Sequence, residues 1–306
     1  KIDSLCAKNL KKKLNKQEKA KFLKSSAFAL NNIGIIYNDQ GDYPKAIEYH
    51  AQSLKMHEEI GDKKGIAKSL NNIGIIYNDQ GETAKAIEYH TQSLKIKEEI
   101  GDKNGIAMSL NNIGIIYNDQ GESAKAIEYY SQSLKIKEEI GDKKGIATSL
   151  NNIGVIYDDQ GESAKAIEYY SQSLKIREEI GDKKGIAGSL NNIGIIYHDQ
   201  GDYSKAFKYS QSSLIIAQEI GAAIRIKSAA SSLWEINKKL GHYKESLKMY
   251  ELFIATRDSM DSEANQKAVI QQKYKYAYEK QAAADSITNA EADKVKDALL
   301  TAEKAE

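Results

Sequence analysis

The chain has 306 residues, 41% hydrophobic and 28% charged, and its 44 basic and 43 acidic residues leave a formal net charge of +1. A near-neutral chain whose only block of one sign is Lys11–Lys13 argues against a nucleic-acid face, which needs clustered positive charge. Cys6 stands alone, so there is no internal disulfide and no cysteine zinc site, and no apolar run approaches the roughly 18 residues of a membrane span.

Residues 1–20 are expected to hold a capping helix, with Ile2–Leu14 as its body. From Lys21 to Asp261 the sequence is repetitive. "SLNNIGIIYNDQG" at Ser69–Gly81 returns unchanged at Ser109–Gly121, and near copies occupy Leu30–Gly41, Ser149–Gly161 and Ser189–Gly201. Gly61–Ile100 and Gly101–Ile140 differ at five of forty positions. A repeat of this length is the mark of a supersecondary unit that cannot bury its apolar face alone and must stack.

Each unit reads as two helices. The first runs from about Lys63 to Gln80, with Leu70, Ile73, Gly74 and Tyr77 on one stripe at helical spacing. Lys68, Asn71, Ile75 and Asn78 form a second stripe, and Asn72, Ile76 and Asp79 a third. Gly81 supplies a left-handed stop. The second helix runs from about Thr83 to Ile100, Gly101 closes it, and Asp102 is the expected N-cap of the next. The recurring Gly34, Gly74, Gly114, Gly154 and Gly194 predict close helix contact, with Ala86 and its equivalents as the small partner. Glu98 and Glu99 are expected to form i, i+4 pairs on a solvated face, and Tyr89 and Tyr129 to pack.

Pro44, the chain's one proline, sits where a first helical turn accepts it. After Asp261 the repeat stops. Residues 262–306, rich in Ala, Lys, Glu and Gln, predict one long helix, a stalk or a weakly dimerising coiled coil. Ile270, Tyr274, Ala277, Ala284, Val295, Ala298 and Ala302 fit a heptad seam only loosely. The chain, which begins at Lys1 and ends without a helix stop signal, reads as a piece of a longer protein.

No catalytic constellation is present: no phosphate loop, no HExxH. The five histidines, His50, His57, His90, His198 and His242, form no paired ligand motif. The expectation is a protein without enzymatic activity, cofactor or metal.

Leu70, Ile73, Gly74, Tyr77 and Ala86 stand at positions four, seven, eight, eleven and twenty of the tetratricopeptide (TPR) signature, and the spacing holds in five consecutive copies. The chain therefore resembles the longer, 40-residue TPR subclass found in kinesin light chains, Pins-type polarity scaffolds and bacterial signalling proteins. The resemblance implies an all-α fold, a right-handed α-solenoid of antiparallel helix pairs over residues 21–261. It covers six units, the last divergent and suited to capping: Trp234 replaces the glycine and Asn237 the tyrosine, while Leu233 and Gly241 stay in register.

The resemblance also implies that positions two, five, nine and twelve of each first helix face a concave groove for a peptide or protein ligand. Position five is invariant: Asn31, Asn71, Asn111, Asn151 and Asn191. Position two varies throughout, as Phe28, Lys68, Met108, Thr148 and Gly188. Position twelve is Asn38, Asn78, Asn118, Asp158 and His198. An asparagine amide offers a donor and an acceptor to an extended backbone, while the varied neighbours would discriminate side chains. On this reading Asn72 is only a faithfully copied neighbour; the alternative is that either asparagine satisfies a neighbouring helix or is solvated. The chaperone-tail clamp is set aside, because its basic first-helix residues are missing and Lys68 is the sole candidate.

A block of such repeats followed by a charged Ala-rich helix is similar to the sensory region of membrane-bound signalling proteins of Bacteroidetes-type bacteria. That implies an extracytoplasmic sensor attached to the membrane through its parent, with a kinase, phosphatase, cyclase or DNA-binding output. A cytoplasmic assembly scaffold and a self-associating repeat protein are the alternatives.

Overall fold

The computed structural model describes residues 15–262. The segment Ile2–Leu14 and nearly all of the expected C-terminal helix lie outside the described residues. The chain divides into two compact units, Lys1–Phe253 and Ile254–Glu306. The repeats occupy the first; residues 254–262, the described part of the second, are helical.

Five complete helix pairs follow one another: α1 (Lys16–Asp39) with α2 (Tyr43–Ile60), α3 (Lys63–Asp79) with α4 (Thr83–Glu99), α5 (Lys103–Asp119) with α6 (Ser123–Ile140), α7 (Lys143–Asp159) with α8 (Ser163–Glu179), and α9 (Lys183–Asp199) with α10 (Tyr203–Glu219). A sixth begins with α11 (Ala223–Lys239) and continues in α12, which starts at residue 243. The described residues contain no strand. The fold is an all-α helical-repeat solenoid. The first described helix begins at Lys16, where Asn15 and Glu18 form a reciprocal capping box.

A stop every twenty residues sets the architecture. Gly61 (φ 68°) and Gly81 (φ 75°) adopt the left-handed conformation that other L-residues resist. Restarts are equally local. Asp102 accepts the Gly105 N–H at 3.0 Å, as expected, and Asp62, Asp142 and Asp182 repeat the cap.

Within a unit the two helices are joined by buried groups. Ser93 Oγ donates to the Ala67 carbonyl at 2.7 Å, and Ser133 to Ala107 at 2.8 Å. Tyr77 stacks on Tyr89 and Tyr117 on Tyr129, with ring centroids 5.4 Å apart, so these tyrosines pack as expected. The glutamates behave differently. Glu99 reaches Lys63 at 3.1 Å and Glu139 reaches Lys103 at 2.9 Å, linking the two ends of a unit rather than neighbouring turns.

Between units the apolar contact is continuous. Ala126 and Tyr130 on α6 bury Ile153 and Ile156 on α7, and Ala166 and Tyr170 on α8 bury Ile193 and Ile196 on α9. Ile76 and its equivalents therefore leave the polar stripe to which sequence spacing assigns them. Each is at most 1% exposed, because position ten meets the preceding unit; Ile36, in the first unit, is 54% exposed. Burying one such side chain contributes about 1.5–3 kcal/mol.

The mid-helix glycines also face an unexpected partner. A Cβ on Gly74 would lie 3.0 Å from the His90 ring, and one on Gly114 would lie 2.7 Å from Tyr130. In units one to four the glycine makes room for a ring, His50, His90, Tyr130 or Tyr170, instead of an alanine-lined contact. In unit five Gly194 faces Ser210, and there the Ala206 carbonyl does come close, at 3.4 Å.

The last unit is built differently. Leu233 is fully buried, Trp234 packs against Tyr250 at 4.7 Å, and Asn237 turns its Nδ2 back to the Leu233 carbonyl at 2.8 Å.

Candidate binding face

Successive first helices meet each other as well as their own second helices, α1 with α3 and α9 with α11 among them. Positions five and six are about 100° apart on a helix, so one points to the following unit and the other to the preceding one. Asn72 Nδ2 donates to Asn31 Oδ1 at 3.1 Å, Asn112 to Asn71 at 3.3 Å, Asn152 to Asn111 at 3.3 Å, and Asn192 to Asn151 at 3.5 Å. Ser232 Oγ completes the series on Asn191 at 3.3 Å. The paired asparagines are thus an inter-unit ladder, and Asn72 serves the neighbouring helix, the alternative to a ligand-facing role.

The ladder uses the position-five acceptor. Asn31 goes further: its Oδ1 also meets His50 Nδ1 at 2.6 Å, and at 1% exposure it is beyond the reach of a ligand. Asn71 and Asn191 are nearly as buried, whereas Asn111 and Asn151 are half-buried. Burial lowers the His50 pKa to about 4, with Lys68 adding to the effect. His50 and His57 are packed side chains here; among the described residues no group of three His, Cys, Asp or Glu is placed to hold a metal.

Position two is open at the N-terminal end. Phe28 is 41% and Met108 52% exposed, and the Lys68 ammonium sits 5.9 Å from the Phe28 ring centre. Thr148 is half-buried and donates to its own helix at the Lys144 carbonyl. Gly188 is buried beneath the Arg225 guanidinium. Ile75, Ile115 and Val155 at position nine are half-buried, and Ile35 and Ile195 are exposed. Asn38, Asn78, Asn118, Asp158 and His198 are all half-buried. Burial raises the Asp158 pKa, and the neighbouring Asp159 and Asp199 raise it further. His198 Nδ1 contacts Asp199 Oδ1 at 2.9 Å.

Sequence reading missed a column of buried cations. Lys97, Lys137 and Arg177 lie at the end of each second helix, 9% exposed or less. Lys97 Nζ donates to Ser109 Oγ at 2.8 Å and Lys137 Nζ to Ser149 Oγ at 3.0 Å. Burial lowers the Lys97 pKa to about 8, opposed by Asp102, so it stays protonated at neutral pH. The signal was present in Gly105, Gly145 and Gly185. A Cβ on Gly105 would stand 2.6 Å from Asp102 Oδ2 and 2.9 Å from Lys97 Cδ, so the glycine admits both the capping carboxylate and the lysine stem.

Models of the tetratricopeptide repeat match residues 25–99, 105–179 and 186–220, more than half of the chain. No curated protein matches the sequence significantly. Among solved structures, BtubC (BKLC) from P. vanneervenii is similar with a TM-score of 0.61 at 18% identity, covering 72% of this chain and 91% of that one. A Rap protein complexed with competence and sporulation factor gives a TM-score of 0.57 at 16% identity, covering 78% and 76%. A STAND protein with a tetratricopeptide repeat sensor from Pyrococcus horikoshii gives 0.66 at 17% identity, covering 81% of this chain and 39% of that one. At these identities the likeness concerns the fold. The stacked helix pairs, their signature residues and the model matches lead to one assignment: this chain belongs to the tetratricopeptide repeat family, whose fold generally serves as a protein-interaction module.

Proposed function

We propose that the chain binds an extended peptide along the face formed by its first helices. One observation carries this reading: Phe28, Ile35, Met108 and Ile195 leave large apolar surface exposed on that face, beside an ordered row of amides. Exposed apolar surface with a polar border is characteristic of an interaction site. Because the Oδ1 atoms serve the ladder, the groups offered to the peptide are the Nδ2 donors, with Asn111 and Asn151 at the centre. They would pair with peptide carbonyls and leave side-chain choice to positions two, nine and twelve. The Rap protein solved with competence and sporulation factor offers a fold-level analogy.

The test preserves the ladder. Asn111→Asp with Asn151→Asp keeps each Oδ1 acceptor and removes the Nδ2 donor. Peptides selected by display against the whole chain should bind the double variant at least tenfold more weakly in fluorescence anisotropy, with the melting temperature nearly unchanged. Unaltered affinity would sink the reading.

A wider role as the sensing region of a larger bacterial signalling protein rests on the resemblance and on the STAND sensor as an analogue. A membrane-spanning segment in the parent sequence beyond residue 306 supports it; a scaffold predicts none. Dimerisation through residues 262–306 is part of the same proposal, and sedimentation across concentration tests it.

A further inference from the structure

The chain contains three arginines, and two of them, Arg177 and Arg225, lie against one stretch of α9, the first at Gly185 and the second at Gly188. They arrive from different helices. At the earlier junctions the second helix supplies a large group, His57, Lys97, Lys137 or Arg177, and the next first helix answers with Gly65, Gly105, Gly145 or Gly185. At the last junction the pattern inverts: the second helix carries Ala217 and the following helix carries Arg225. Arg225 therefore reaches back over unit five, and its guanidinium carbon lies 3.2 Å from where a Gly188 Cβ would stand. A Cβ at position two would press on the guanidinium and make it shift.

The groups around this point are undersatisfied. Arg177, 9% exposed, gives Nη1 to the Gly185 carbonyl at 2.6 Å, but its Nε has no acceptor. Arg225 Nε has none either, and among the described residues neither guanidinium forms an ion pair. Ser189 Oγ, fully buried, lacks the partner that Ser109 and Ser149 find in Lys97 and Lys137. The arginine at this position bonds the backbone and leaves the hydroxyl free. Burial draws the Arg177 pKa down, Asp182 offsets this, and the adjacent Arg225 adds to it. Two cations and Asp182 leave one positive charge uncompensated. A buried polar group without a partner is costly, and more so when charged.

We propose that Arg177 and Arg225, set against Gly185 and Gly188 of α9, form a receptor for one carboxylate, that of an acidic side chain on the peptide bound along the first-helix face. A guanidinium edge matches a carboxylate in planar, two-bond geometry, and a single negative charge neutralises the cluster. The oxyanion site stands on its own residues; only the carrier of the carboxylate rests on the peptide-groove reading. The site would also fix register, since the nearly identical units two to four offer a peptide no unique anchor of this kind.

The test reads the Nε–H signals of the three arginines in 15N-labelled full chain, assigned by substitution. Titration with sodium acetate, against sodium chloride at equal ionic strength, should shift the Arg177 and Arg225 signals saturably and leave Arg257 unmoved. Arg225→Gln should abolish the Arg177 shift. Arg177→Lys, which restores the side chain found in unit three, should fold normally, engage Ser189 and abolish the Arg225 shift. Acetate that moves neither signal, or moves all three as chloride does, overturns the proposal.

The second arm compares the peptide acetyl-Val-Ala-Ala-Glu-Ala-Ala-Val-amide with its Gln counterpart. The Glu peptide should bind at least fivefold tighter, and the preference should vanish in Arg225→Gln. Equal binding overturns the carboxylate's assignment to a groove peptide. If neither peptide binds while acetate does, the groove reading fails and the oxyanion site holds.

Discussion

Units one and two differ from units three and four in what fills one shared space. Gly34 and Gly74 face His50 and His90; Gly114 and Gly154 face Tyr130 and Tyr170. The backbone is the same, and each ring is 2% exposed or less. The chemistry is not the same. Burial, with a contribution from the nearby Lys68 or Lys97, lowers the His50 and His90 pKa values to about 4. Burial raises the Tyr130 and Tyr170 pKa values instead, above any ordinary working pH. At this one position units one and two carry an acid-titrating ring and units three and four do not, although the packing problem solved is identical.

Emptying the space tests how much the ring contributes. Tyr170→Ala removes an aromatic side chain from the junction with Ile193 and Ile196, and a loss of about 3–5 kcal/mol is expected in urea unfolding. A loss below 1 kcal/mol would mean that the neighbouring helices collapse into the gap, as the serine at position 210 suggests a suitably adapted unit can.

Acid should separate the two pairs of units. The folded-state histidines titrate near 4, below the ordinary value of 6.5. The unfolded chain therefore binds more protons between those pH values, and stability falls as pH is lowered through that window. The cost is roughly 2–3 kcal/mol at most for each histidine by pH 4. His50→Tyr with His90→Tyr should flatten this part of the pH–stability curve while changing neutral-pH stability by less than about 1.5 kcal/mol. Chemical denaturation between pH 7 and pH 4 measures it, and an unchanged slope would count against these rings as the source.

The smallest effect concerns the ladder. Asn152→Ala removes the donor to Asn111 and should cost about 0.5–1.5 kcal/mol. The same change at Asn72 should cost more, because Asn31 is buried and also holds His50. Equal costs at the two sites would show that the histidine coupling contributes little.

The helix pairs were legible because their signals are local. Gly61, Gly81 and Asp102 act within a few residues of themselves, and the stripe of Leu70, Ile73 and Gly74 follows from helical spacing alone. The partners were less legible. Spacing gives the angle at which a residue leaves its helix but not the atom it meets. That is why Gly74 was paired with Ala86 instead of His90, why spacing alone did not place Asn72, and why Ile76 was grouped with polar neighbours. In each case the answer lay on another helix. The cation column hid for a further reason: Lys97 reads as one more surface lysine until Gly105 is recognised as its berth.

The asparagine ladder gives every middle unit one donor edge and one acceptor edge, and the Lys97–Ser109 contact recurs in the same sense. Such units are interchangeable. Excising residues 101–140 would join Ile100 to Gly141, hand Asn152 to Asn71 and Lys97 to Ser149, and leave every remaining junction of a kind already in use. The gene could therefore gain or lose whole copies in its interior without inventing a new interface. The end of the array has no such freedom. Arg225 requires the small Ala217 before it, and Ser232 stands where an asparagine would be, so the sixth unit fits behind the fifth and nowhere else. Length is adjustable in the middle and fixed at the terminus.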